Sequence, residues 1–244
     1  MSRQNNRSNL LERPMMVRAG VDAIILYFAD HISESANQRV QQFRDYMQRN
    51  AGDWITELVP AYSSLLVYYD VLQRTESQVK HSLKELLESL DDASTSGEQQ
   101  QVTEHVIEVY YDQSVGPDLA RVAKQHGLSV EQVIEKHQQQ SYRVYAVGFA
   151  PGFAYLGEVA EDLQTPRLDS PREKVAAGSV AIAERQTAVY PLPSPGGWNI
   201  IGRTAKTLYD PSSGELNTMK SGDRVRFTGI SKEAFLAQGG LLDE

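Results

Sequence analysis

Residues 148–157 read GFAPGFAYLG, followed by TPR at 165–167, SPR at 170–172, AGSVAI at 177–182, QTAVYPLPSPGGW at 186–198 and IGRT at 201–204. Twelve of the 17 glycines lie at or beyond Gly148, and seven of the ten prolines lie between Pro151 and Pro211. Glycine serves where backbone takes positive φ or approaches something closely, and proline where a loop must be stiff. From Tyr142 the helical period disappears. Short apolar runs at 142–149, 178–183, 187–192, 199–202, 205–209 and 223–228 alternate with turn residues. This pattern predicts a β-barrel or compact β domain. Hairpin turns are expected at Asp210-Pro211-Ser212-Ser213-Gly214 and Lys220-Ser221-Gly222-Asp223.

Upstream of this region the period is helical. Pro14 to Phe28 holds an extended segment, densest in apolar residues from Ala23. A helix follows, with Ser35 and Gln38 as a capping box and Ala36, Val40, Phe43 and Met47 on one face. Trp54–Ala61 and Ser64–Val71 read as two strands joined around Tyr62 and Ser63. Thr75 with Gln78 starts a second helix whose buried stripe is Val79, Leu83, Leu86 and Leu90. The order β-α-β-β-α predicts an α+β domain, with helices on one side of a mainly antiparallel sheet. After a polar stretch, Val102–Tyr111 alternates as a strand. Gly116-Pro117-Asp118 opens a short helix ended by Gly127, and Ser129 with Gln132 caps another through about Gln139. The expected layout is a disordered tail at 1–13, an N-terminal α/β domain at 14–92, a linker at 93–101 and a barrel domain at 102–244.

The chain has 244 residues, a net charge of −8 and no cysteine. The acidity argues against nucleic-acid binding. Without cysteine there are no disulfides, no thiolate nucleophile and no cysteine-held metal. No run approaches the ~18 apolar residues of a membrane span, and the polar start resembles neither a signal peptide nor an anchor. A soluble, cytoplasmic protein is expected.

The sequence contains no phosphate loop of the GxxxxGK[ST] type, no dinucleotide-type GxGxxG and no HExxH. His31, His81, His105, His126 and His137 have spacings that fit no metal site, and no metal is expected. Each is expected in an ordinary surface or core role, with His137, just before the β region, the one to watch. No serine, histidine and acid come together as a nucleophile set, so catalytic residues are not assigned. The candidates for holding substrate or an anion are Arg167, Arg172, Gln186, Thr187, Gly196, Gly197, Arg203 and Thr204. Arg167 and Arg172 each follow a proline, which suits a guanidinium aimed at a carboxylate or phosphate; equally, either fits a structural salt bridge to Glu173, Asp169 or a partner chain. Gly196 and Gly197 fit a backbone nest or a tight turn closed by Trp198. Phe149, Phe153, Tyr155, Tyr190 and Trp198 are candidate pocket walls, or the packed end of a barrel.

Those motifs, together with GPDL at 116–119, resemble the allophanate hydrolase subunit 1 (KipI) family over roughly residues 14–229. The resemblance implies that the barrel is cyclophilin-like. It implies one component of a multi-subunit, ATP-dependent 5-oxoprolinase, which opens 5-oxo-L-proline to L-glutamate. The implied partners are the C component of 5-oxoprolinase, itself like KipA or allophanate hydrolase subunit 2, and the A component, of the LamB/YcsF type. ATP is the implied cofactor of the complex, and the chain alone is expected to be inactive. The family also contains inhibitors of sensor histidine kinases, and related enzymes act on urea-like amides, so these are the alternative activities. Where the family usually has a Gly-Gly pair, Asp112 and Gln113 stand here; Ala176 and Ala181 replace its usual proline and glycine.

Overall fold

The computed structural model describes residues 10–11, 13–93, 102–212 and 218–242. They fall into two compact units divided after residue 101. The expected tail and linker, and part of the 210–214 turn, lie largely outside the described residues.

The first unit contains β1 (Met15–Arg18), β2 (Ala23–Tyr27), α1 (Glu34–Asn50), β3 (Ile55–Pro60), β4 (Ser64–Tyr69) and α2 (Glu76–Ala93). The expected extended segment is thus two strands, because the 19–22 turn folds β1 back on β2: Ala19 and Gly20 both donate to the Ala23 carbonyl. The sheet order is β1-β2-β4-β3, antiparallel throughout. One face carries Ile24, Leu26, Leu65 and Val67, all fully buried. Val40, Phe43 and Met47 of α1 and Val79, Leu83, Leu87 and Leu90 of α2 pack on it as one core. The α1 cap differs from expectation. Ser33, in extended conformation, accepts from the Ala36 N–H at 3.2 Å, and Ser35 already lies inside the first turn. On α2 the Thr75–Gln78 box forms as expected, with the Thr75 N–H donating to Gln78 Oε1 at 2.9 Å. Leu87 rather than Leu86 is the more deeply buried member of its stripe.

The second unit contains β5 (Glu104–Val109), α3 (Leu119–His126), α4 (Val130–Gln139), β6 (Ser141–Val147), β7 (Ala154–Gly157), β8 (Arg172–Val175), β9 (Ser179–Ala183), β10 (Gln186–Val189), β11 (Ser194–Gly196), β12 (Asn199–Arg203), β13 (Arg224–Gly229) and α5 (Lys232–Ala237). Seven strands form a sheet in the order β12-β9-β10-β7-β6-β13-β5. Tyr110 and Arg203 exchange backbone hydrogen bonds of 2.8 and 2.9 Å, which tie the strand beyond β5 back to β12. The sheet is therefore a nearly closed, barrel-like ring, with its one parallel pair at β13–β5. The run at 205–209 is not a strand. The apolar pattern does not announce α5, whose local signal is a Ser231 cap followed by only six helical residues.

Alternation along the strands divides two cores. Val180, Ile182, Val189 and Ile201 point inward and share a core with Leu119, Val122 and Ala123 of α3 and Val133 of α4. Ala181, Ala183, Ala188, Tyr190 and Ile200 point the other way, to the outer face of β9, β10 and β12. There the small side chains of three alanines leave room for aromatic rings.

Candidate functional site

The outer face of β9, β10 and β12 is where the sequence-predicted aromatics meet. Phe153 is the hub, with ring centres 4.9 Å from Tyr155, 5.5 Å from Tyr190, 5.9 Å from Trp198 and 5.3 Å from Phe149, each in edge-to-face geometry. Such contacts add about 0.5–1.5 kcal/mol each beyond area burial. Phe153, Tyr190 and Trp198 are buried, whereas Phe149 is 66% exposed. Phe149 also has φ 73°, a left-handed conformation that is unusual for a bulky residue.

A two-stranded ribbon of β8 and β11 borders this cluster, with Gly196 opposite Arg172. Gly196 is a matter of space: a Cβ there would lie 2.3 Å from the Tyr190 hydroxyl. Gly197 is less constrained, since its added Cβ would meet nothing nearer than 3.6 Å. The Gly197 carbonyl accepts from Leu168 N–H at 2.7 Å, which fastens the 165–169 loop beside the ribbon. Burial raises the Tyr190 pKa, opposed by a hydrogen bond from the Trp198 backbone and by Arg167 and Arg172. Burial likewise raises that of Tyr155, against the nearby Arg167. The 196–198 turn thus directs a backbone group at Tyr190.

The arginines have separate fates. The Arg167 guanidinium carbon lies 5.7 Å from the Trp198 ring centre, and Arg167 is exposed. Arg172 Nη2 donates to Asp118 at 2.9 Å and Nη1 reaches the Trp198 carbonyl at 3.5 Å. Its partner is neither Asp169 nor Glu173. Asp118 is buried, accepts from Ile200 N–H at 2.7 Å, and is also approached by Arg121 at 3.5 Å. Arg121 further donates to the Asn199 side chain, whose amide donates to the Pro166 and Ile182 carbonyls at 2.9 Å. Asp118 and Asn199 are absent from the sequence-predicted set, although Asp118 stands in the GPDL motif; nothing local marks a carboxylate whose partner lies 54 residues on.

Four expected members lie elsewhere. Arg203 sits at the far end of β12 from Asn199, is buried, and donates to the Leu241 carbonyl at 3.0 Å. Thr204 accepts from Lys206 N–H. Gln186 starts β10 opposite Gly157, at the other end of that strand from Tyr190. Thr187 points into the barrel, because strand alternation puts it on the face opposite Ala188. There its hydroxyl donates to the Ala181 carbonyl at 3.0 Å and so accepts from His137 Nε2–H at 2.9 Å. His137 Nδ1 then accepts from the Tyr111 hydroxyl at 2.8 Å. This histidine is fully buried, and desolvation lowers its pKa to about 3. It is a neutral core residue.

Among the described residues no cluster of His, Asp or Glu fits a metal ion, and no helix is long and apolar enough to cross a membrane. The site is an aromatic patch bordered by the exposed cations Arg167 and Lys174 and backed by an ion-pair network.

The family described as "Carboxyltransferase domain, subdomain C and D" matches residues 14–219. The B component of 5-oxoprolinase from Bacillus subtilis (strain 168) is 35% identical over 237 residues, covering 92% of this chain and 96% of that protein. The crystal structure of TTHA0988 superposes with a TM-score of 0.73 at 38% identity, over 86% of this chain. This chain spans only 40% of TTHA0988, so that protein carries much else besides. The conserved uncharacterized protein PH0987 from Pyrococcus horikoshii is 42% identical with a TM-score of 0.53; the match covers 91% of this chain and all of PH0987. By the extent of these matches, the chain belongs to the carboxyltransferase domain family, subdomains C and D.

Proposed function

We propose that this chain is the B component of an ATP-dependent 5-oxoprolinase, a hydrolase that opens the lactam of 5-oxo-L-proline to L-glutamate. The observation that carries this reading is the 35% identity to the B component of the Bacillus subtilis 5-oxoprolinase across nearly the whole of both chains. The same name attaches to relatives in Escherichia coli O157:H7 and Haemophilus influenzae at 35% and 36% identity. In this reading the barrel is cyclophilin-like, the two units are domains at 14–92 and 102–244, and the protein acts in the cytoplasm. It docks with a C component of KipA type and an A component of LamB/YcsF type, and is inactive alone.

A lactam amide is a poor electrophile, and ATP serves the complex by activating its oxygen. The residues of this site do not fit the triphosphate. Arg172 is committed to Asp118 and Arg203 to Leu241, which leaves only Arg167 and Lys174 among the described cations of this face against several phosphate charges. ATP is therefore assigned to another component of the complex. What the outer-face patch supplies is a stiff, partly dry surface on which a small substrate is held.

The reading is tested by reconstitution. The chain is mixed with the A and C components, and glutamate release is followed with ATP and 5-oxoproline. Release that requires all three proteins supports it. Release at the full rate without this chain sinks it.

A further inference from the structure

We propose that Arg167 is the carboxylate-binding group of this site, holding the acid function of a small cyclic amide whose ring rests against Phe149. The inference rests on the substrate class assigned above, and it goes further by separating a binding arginine from a positioning one.

Arg172 and Arg121 share the buried carboxylate of Asp118, and Arg185 pairs with Glu158. Arg167 makes no ion pair among the described residues; its partner is the Trp198 ring. A guanidinium held near an aromatic face by its charge still has N–H donors to offer a carboxylate. In a chain of net charge −8, an anionic substrate needs such a local cation to approach at all.

Phe149 is the second observation. A bulky residue held at φ 73° costs about 1–3 kcal/mol, and this one presents a ring that is two-thirds exposed. It stands in the turn from β6 to β7, which the Gly148 N–H closes by donating to the Phe153 carbonyl at 3.0 Å. Its edge-to-face contact with Phe153 joins it to the cluster on which Arg167 rides. Arg167 and Phe149 thus stand as charged and apolar exposed members of one aromatic assembly. A five-membered lactam bearing a carboxylate has the matching pair of features.

Arg172 acts through others in this scheme. Its bonds to Asp118 and to the Trp198 carbonyl fix the platform beneath Arg167.

Two measurements decide the matter. In the three-component complex, Arg167→Ala is expected to raise KM for 5-oxoproline roughly tenfold to hundredfold, as loss of a charge-assisted hydrogen bond implies. The kcat should stay within about threefold, since uniform binding is what is lost. In the isolated full chain carrying Trp54→Phe, 5-oxoproline should change the Trp198 fluorescence, and Arg167→Ala should abolish that change. The neutral lactam 2-pyrrolidinone, lacking a carboxylate, should leave it unaltered. An unchanged KM in Arg167→Ala overturns the proposal. So does loss of complex assembly by that variant with KM intact in the residual complex, which makes the face a protein-docking surface. If the wild-type complex releases no glutamate, the substrate reading fails, and the fluorescence titration with 5-oxoproline decides the subsite on its own.

Discussion

Arg172 and Asp118, 54 residues apart in sequence, meet at 2.9 Å at the edge of the aromatic face. Asp118 also accepts the Ile200 N–H, so one carboxylate joins the start of α3, the strand β12 and the ribbon strand β8. Removing it leaves a guanidinium and a buried amide without their acceptor. Breaking one side of a buried pair costs about 3–5 kcal/mol, and the 30% exposure of Arg172 places this case at or below the lower end. In a chain carrying Trp54→Phe, Asp118→Ala should therefore destabilise the C-terminal unit by about 3 kcal/mol in urea unfolding followed by Trp198 fluorescence. A change below about 0.5 kcal/mol, the range of an ordinary surface substitution, contradicts the network.

The two adjacent glycines of the turn should behave differently. Gly196→Ala drives a Cβ to 2.3 Å from the Tyr190 hydroxyl, whereas Gly197→Ala makes ordinary contacts at 3.6 Å or more. Overpacking of this kind costs about 1–3 kcal/mol. Gly196→Ala should lower stability by that amount and alter the near-ultraviolet circular dichroism of the aromatic cluster. Gly197→Ala should do neither.

Much of this is legible in the sequence, for identifiable reasons. The 3.6-residue period locates α1 and α2, and the Ser129–Gln132 pair locates α4, because capping and amphipathicity are local. The glycine-proline-aromatic stretch announces a rigid surface, and Phe149, Phe153, Tyr155, Tyr190 and Trp198 do form one cluster. What stays hidden depends on which face each side chain takes. Thr187 and Ala188 are neighbours in sequence, yet lie on opposite sides of the barrel wall. Arg203 is four residues from Asn199, which in a strand carries it to the other end. Arg172 looks available in the sequence because its carboxylate lies in another element.

Thr187→Val tests the reassignment of that residue to the core. It removes the acceptor of His137 Nε2–H and the donor to the Ala181 carbonyl. The expected loss is about 1–3 kcal/mol of stability for buried groups left unsatisfied. The KM for 5-oxoproline of the folded complex should not move. A raised KM with stability unchanged returns Thr187 to the substrate wall.

His137 gives the fold a dependence on pH. Its folded pKa, about 3 through burial, lies below the ordinary value near 6.5, so the unfolded chain takes up the proton first. The stabilising effect of keeping this ring neutral is complete above pH 6.5 and is lost as pH falls towards 3. The slope from this single group reaches about 1.4 kcal/mol per pH unit. Unfolding free energies measured between pH 7 and 4 should fall more steeply for the wild type than for His137→Gln. Parallel curves would falsify the assignment of a neutral, buried imidazole.

The most direct measurement of the whole account is glutamate formation from 5-oxoproline and ATP by the reconstituted three-component mixture, with this chain present, omitted, or carrying Arg167→Ala. The account predicts release only when the chain is present, with the variant restored towards wild-type rates by high substrate. Full release without the chain, or a variant indistinguishable from wild type at low substrate, contradicts it.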